Sequence, residues 1–344
     1  MARTACTWSN RRYPLARSTI SQPAAPSATP QPRWTRKDLL DTDVLRREEV
    51  ELILSTAEAM AEIRRRPVAK VAALRGVTVA TLFYEQSTRT RASFEVAAKA
   101  LGADVVNLTA AGSSVEKGES LVDTVRTLEA IGVDILVMRH PSSGAPALAA
   151  RNTAASVING GDGTHAHPTQ ALLDLYTMRK RLGSLVGRKV VIVGDILHSR
   201  VARSNLWLLL AEGAEVVFCG PATLLPHHLI RSLEGTPNFR WTTDLDAAIA
   251  GADVVMALRL QKERQDDALI PSLRDYVRRY QVNAERLARA HRDVLVMHPG
   301  PMNEGIEISP DVAHGLRSAV EEQVANGVAV RMAILYLLAG ARAR

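Results

Sequence analysis

Apolar and polar positions along the chain follow two alternating rhythms. Short runs rich in β-branched residues, such as Val77-Thr78-Val79-Ala80-Thr81-Leu82-Phe83 and Lys189-Val190-Val191-Ile192-Val193, predict strands. Longer stretches with apolar residues three and four apart predict helices. The first series reads as a helix over 44–65 stopped by Pro67, the strand over 77–83, and a helix over 88–101 with Gly102 just past its end. Next come a strand at 104–108, a helix at 119–131, and strands at 134–138 and 156–159. A helix over 168–182 opens on Pro168, which the first turn tolerates. A second series has strands at 189–193, 215–219, 253–257 and 293–297 and a helix over 201–212. The last segment, with Ser318 and Glu321 as a capping box and Val320, Val324, Val328, Ile334 and Leu338 at helical spacing, predicts a long amphipathic helix.

Strands alternating with helices imply parallel sheets covered on both faces. The expected fold is α/β, with two doubly wound parallel-sheet domains joined by helices. Their expected bounds are 34–168 and 186–317, with an interdomain helix at 169–185 and the final helix at 318–340.

At 344 residues and 47% hydrophobic content, the chain can fill two cores without metals or disulfides. Its two cysteines, Cys6 and Cys219, lie far apart, which suits a reducing compartment. The longest unbroken apolar run, near Met332 to Gly340, falls short of the roughly 20 residues of a membrane span. The pI of 9.7 suggests nucleic acid until the charge is located. All of the net charge of +7 sits in residues 1–37, where seven basic residues meet no acid; the rest holds 36 basic and 36 acidic side chains. A neutral body with few aromatics argues against a nucleic-acid reader. Residues 1–33, rich in Arg, Ser, Pro, Ala and Thr, read as a disordered basic tail: an organelle transit peptide, an upstream misplaced start, or a genuine bacterial tail. The expected location is the cytoplasm.

In open α/β folds ligands bind at the carboxyl ends of strands, and there the unusual polar clusters fall. Ser87-Thr88-Arg89-Thr90-Arg91 places hydroxyls, guanidiniums and the free N–H groups of a helix start together, as phosphate binding requires. Ser87 or Thr88 is the expected cap of that helix. Taken alone the stretch could be a capped helix with solvated arginines. Arg139, in Val137-Met138-Arg139-His140-Pro141, ends a strand where an anion or carbonyl oxygen could sit. His167 and Gln170 lie at a loop-to-helix junction; a zinc site with His165 lacks both Cys and a helical i, i+4 partner, so a neutral His167 donating to an oxyanion is the stronger reading. Ser113 and Lys117 occupy a loop before a helix. Val193-Gly194-Asp195 lacks the further glycines of a dinucleotide turn, so no nucleotide cofactor is expected, and no metal. Arg200, Arg259 and Gln261, and His298-Pro299-Gly300-Pro301, follow other strands. Together the clusters favour a strongly anionic substrate.

In their order, these motifs resemble the aspartate carbamoyltransferase family from about Trp34 to the C-terminus. The resemblance implies that Ser87, Thr88, Arg89 and Thr90 wrap the phosphate of carbamoyl phosphate, while Arg139, His167 and Gln170 hold the carbamoyl end with Thr90. It implies backbone contacts from Pro299 and Gly300 to the carbamoyl nitrogen, and aspartate binding by Lys117, Arg200, Arg259 and Gln261. It also implies a final helix returning to the first domain and a homotrimer in which the Ser113 and Lys117 loop enters a neighbour's site, possibly within a larger assembly with regulatory chains or dihydroorotase. Catalysis would fall to Arg89, Thr90, Lys117, Arg139 and His167, with no protein nucleophile and with the departing phosphate as proton acceptor. The ornithine sister family shares the phosphate motif, but typically has His-Cys-Leu-Pro where this chain has His298-Pro299-Gly300-Pro301. Glu304 departs from the Arg frequent at that position in relatives. The remaining alternatives are an ornithine-type enzyme and an inactive scaffold.

Overall fold

The computed structural model describes residues 33–109, 118–261 and 269–342. Two wholly parallel sheets organise it. In the first, α1 (Arg47–Arg65) precedes β1 (Thr78–Phe83), α2 (Thr88–Ala100), β2 (Asp104–Thr109), α3 (Leu121–Ala130), β3 (Ile135–His140), α4 (Ala145–Arg151) and β4 (Ser156–Asp162). After α5 (Pro168–Leu182), the second has β5 (Lys189–Val193), α6 (Arg200–Ala211), β6 (Glu215–Cys219), α7 (His227–Ser232), β7 (Phe239–Thr242), α8 (Leu245–Ile249) and β8 (Val254–Ala257). There follow α9 (Leu273–Tyr280), α10 (Ala284–Leu287), β9 (Leu295–Met297), α11 (Pro310–Ala313) and α12 (Val320–Arg342).

The strand orders are β2-β1-β3-β4 and β7-β6-β5-β8-β9. The winding therefore reverses between β1 and β3 in one sheet and between β5 and β8 in the other, and the carboxyl side of such a reversal opens a crevice. Val79, Ile135 and Val137 from the first sheet and Val190, Ile192 and Val254 from the second belong to one continuous apolar core, joined through α5 and α12. From Pro168 to Met178 every residue of α5 is buried, because the helix is covered on all sides.

Helix α12 differs from the expected amphipathic element. Its stretch from Ala329 to Leu335 is buried all round among α1, α2 and α5, whereas Val324 is half-exposed. By length and mean hydropathy (1.6) it could cross a membrane, but it is a core helix carrying a buried arginine, Arg331. The expected capping box does not form. Ser318 pairs as a β-bridge with Val296, and its hydroxyl accepts only a long 3.4 Å bond from the Val320 N–H. The expected tail lies outside the described residues. Several short elements, α4, β7 and α7 to α11, carry too few periodic positions to announce themselves in the chain.

Candidate functional site

A cleft of about 740 Å³ opens at the carboxyl ends of both sheets. All twelve described residues nominated from the chain line it: Ser87, Thr88, Arg89 and Thr90 after β1, Arg139 at the end of β3, His167 and Gln170 at the start of α5, Arg200 at the start of α6, Arg259 and Gln261 after β8, and Pro299 and Gly300 after β9. Ser113 and Lys117 lie outside the described residues, as do residues 262–264 of the loop after Gln261.

The first turn of α2 is built to receive an anion. Ser87 occupies the N-cap with extended backbone, yet its side chain makes no capping bond, contrary to its expected role. No acid lies in the first turn, so the N–H groups and the positive helix end face the cleft without an internal counter-charge. Arg89 packs on Gly300, whose φ is +64°; a Cβ there would stand 2.8 Å from Arg89 Cζ. Arg91 turns away from the cleft and lies over the Phe83 ring.

Arg139 and Arg200 meet over Glu85, a residue the motif reading passed over. Arg139 Nε lies 3.2 Å and Arg200 Nη2 2.8 Å from Glu85 Oε2, and Arg200 Nη1 donates to the Gly163 carbonyl at 3.1 Å. Arg200 thus lines the cleft as a buried residue already ion-paired with Glu85. Gly161, with φ +117°, lets both guanidiniums approach: a Cβ would sit 2.9 Å from Arg200 Nε.

His167 caps α5 from a buried position; its N–H donates to Ser204 Oγ and its Nδ1 has no partner. Burial, reinforced by Arg139, Arg200 and Arg331, pushes its pKa well below the usual range, so the imidazole is neutral. Its neighbour His165 points elsewhere, between Asp41 and Asp162 at 3.1 Å each, and these carboxylates raise its pKa to about 10. The two histidines therefore do not converge.

On the second sheet, Asp195 pins the loop after β8. Its Oδ2 accepts the Gln261 N–H at 3.3 Å and its Oδ1 meets His198 Nδ1 at 2.8 Å, while Gln261 Nε2 donates to the His198 carbonyl at 3.1 Å. Arg259 is close enough that, after burial, its charge lowers the pKa of Arg89. Among the described residues, five guanidiniums, of Arg89, Arg139, Arg200, Arg259 and Arg331, line the cleft against one carboxylate, that of Glu85. Such a wall binds a substrate, or substrates, of several negative charges.

Asp174 and Arg331 also escaped the motif reading. Each left a signal, since Asp174 follows Gln170 by one helical turn and Arg331 is the single charge among residues 327–340. Glu304, the expected departure, pairs with His314 at 3.2 Å.

Comparison with known proteins agrees with this geometry. Residues 37–180 match the family model described as aspartate/ornithine carbamoyltransferase, carbamoyl-P binding domain, and 186–338 that of the Asp/Orn binding domain. The chain is 58% identical over 318 residues to an aspartate carbamoyltransferase catalytic subunit from Roseiflexus sp., covering 92% of this chain and 99% of the relative. The corresponding subunit of Chloroflexus aurantiacus is 59% identical over 305 residues, or 89% and 99%. Among solved structures, aspartate transcarbamoylase from Trypanosoma cruzi with carbamoyl phosphate and aspartate superimposes with a TM-score of 0.79 at 31% identity, covering 89% of this chain and 98% of that one. Ornithine carbamoyltransferase from Pyrococcus furiosus gives the same TM-score at 32% identity, covering 88% and 97%. The shared fold thus does not choose the amino acid; the site does.

Proposed function

We propose that this chain, which belongs to the aspartate/ornithine carbamoyltransferase family, transfers the carbamoyl group of carbamoyl phosphate to the α-amino group of L-aspartate. The products are N-carbamoyl-L-aspartate and phosphate, a step of pyrimidine biosynthesis. The observation that carries the reading is the charge of the cleft: among the described residues five guanidiniums face a single carboxylate, and that carboxylate is already held by Arg139 and Arg200. Carbamoyl phosphate and a dicarboxylic amino acid suit such walls, whereas the side-chain ammonium of ornithine would find as counter-charge, among the described residues, only Glu85, already paired with two arginines.

In this reading the first turn of α2, with Ser87, Thr88, Arg89 and Thr90, holds the phosphate. Thr90, Arg139 and His167 surround the carbamoyl oxygen, where negative charge collects as the amine attacks. A neutral imidazole serves there as a donor and competes with no substrate for a proton. Gln170 and the backbone at Pro299 and Gly300 accept from the carbamoyl nitrogen. Arg259 and Gln261 bind the aspartate carboxylates, and Arg200 joins them by sharing its charge between Glu85 and the substrate. Clamping both reactants supplies the entropic part of the rate, and the leaving phosphate accepts the amine proton.

A trimer with shared sites completes the reading. Among the described residues no lysine lines the cleft, and Ser113 and Lys117 would reach it from a neighbouring subunit. Lys117 between phosphate and carboxylate would offset the repulsion of two anionic substrates.

The test is phosphate release from carbamoyl phosphate with L-aspartate and L-ornithine in parallel. Release with aspartate and appearance of carbamoyl-aspartate is the expected result. Release with ornithine alone would overturn the reading of Arg259 and Gln261, and release with neither would leave a scaffold.

A further inference from the structure

Asp174 lies in the buried middle of α5, and three side-chain amides converge on it. Gln170 Nε2 donates to Oδ1 at 2.9 Å, Gln323 Nε2 to the same oxygen at 2.8 Å, and Asn205 Nδ2 to Oδ2 at 2.9 Å. An ionised carboxylate only accepts, so each amide must turn its NH₂ inward and its carbonyl away. For Gln170, which lines the cleft, this turns Oε1 away from Asp174 and leaves it to the cleft side. For Gln323 it leaves Oε1 to accept the N–H of His298 at 3.0 Å, and His298 Nδ1 in turn accepts the Gly300 N–H at 2.8 Å. The two groups read above as acceptors for the carbamoyl nitrogen, the Gln170 amide and the Pro299-Gly300 turn, therefore hang from one carboxylate.

We propose that Asp174 is a positioning residue that sets the donor–acceptor polarity of the carbamoyl pocket, so that the pocket accepts an NH₂ group and selects carbamoyl phosphate over an acyl phosphate of similar shape. The inference rests on the reading of the cleft as a carbamoyl phosphate site. A methyl group in place of NH₂ offers nothing to Gln170 Oε1 or to the turn, and leaves buried acceptors unpaired. With its NH₂ turned to the cleft instead, Gln170 would face the carbamoyl nitrogen donor to donor.

The groups facing Asp174 are Gln170 of its own helix, Asn205 of α6, and Gln323 and Arg331 of α12. Burial holds its carboxyl up at about 6 against these partners. Below that pH one oxygen of the protonated carboxyl becomes a donor, so the three amides are no longer all required to turn NH₂ inward and the hold on Gln170 weakens.

The experiment uses the full chain, unaltered and as Asp174→Asn, and measures KM for carbamoyl phosphate and Ki for acetyl phosphate competing with it. The Asn side chain keeps the shape but replaces one acceptor by a donor, so it no longer requires all three amides to turn NH₂ inward and the hold on Gln170 weakens. The preference for carbamoyl over acetyl phosphate should fall about tenfold, with the acetyl phosphate Ki moving less than about twofold. In the unaltered protein the same preference should decline as pH falls through about 6, since the phosphate ionisation common to both ligands cancels in the ratio. A preference flat across that pH range overturns the proposal whether or not the variant folds. A folded variant that loses both ligands equally overturns it as well, for that is what a merely structural role would do. An unaltered protein that binds no carbamoyl phosphate overturns the functional reading itself, and the proposal with it.

Discussion

Arg259 and Arg89 come from different sheets, yet the charge of one weakens the other's hold on its proton. Two cations brought this close favour a ligand's negative charge beside them. If Arg259 serves the second substrate, Arg259→Ala should raise KM for aspartate by about tenfold to a hundredfold, the loss of a charged hydrogen bond, and leave carbamoyl phosphate affinity within about threefold. Steady-state kinetics with each substrate varied in turn measures this, and an equal loss for both would make Arg259 structural. Single motif residues were legible in the chain because guanidiniums and hydroxyls gathered at strand ends have few structural reasons to be there. Glu85 and Asp174 were not, because an isolated acid gains meaning only from the arginines and amides that folding brings to it.

Among the elements, α2 and α6 present the same cap residue in different employment. Ser199 Oγ accepts the Ala202 N–H at 3.1 Å, whereas Ser87 makes no capping bond. Ser199→Ala should therefore cost about 1 kcal/mol of stability. Ser87→Ala should change stability by less than about 0.5 kcal/mol. Its effect should appear as a rise of about tenfold in KM for carbamoyl phosphate. Denaturant titration and kinetics on both variants separate the two, and a large stability loss in Ser87→Ala would mean that its hydroxyl supports the helix. Helix bounds were read closely where Pro or Gly punctuates them, as at Pro168 and Gly102. Ser318 misled because it pairs with Val296 of β9 before the helix begins, a contact between segments far apart in the chain.

For the whole molecule, the site is expected to be complete only between subunits. Arg89→Ala and Lys117→Ala chains should each be nearly inactive, but dissociated, mixed and reassembled they should regain about a quarter of the parental activity, since random trimers rebuild one intact junction in four. Confirmed subunit exchange without recovery would sink the shared site. The chain by itself determined the alternation of strands and helices, the parallel sheets and the polar residues that gather at the cleft, because periodicity, turn chemistry and the clustering of charge are local properties. Only the tertiary structure decided the rest: which strands flank β1 and β5, that both winding reversals open on one cleft, that Arg200 is spent partly on Glu85, and that Asp174 orients Gln170. Those depend on which segments share a buried, low-dielectric space, and there a carboxylate must find its donors and a histidine loses its charge.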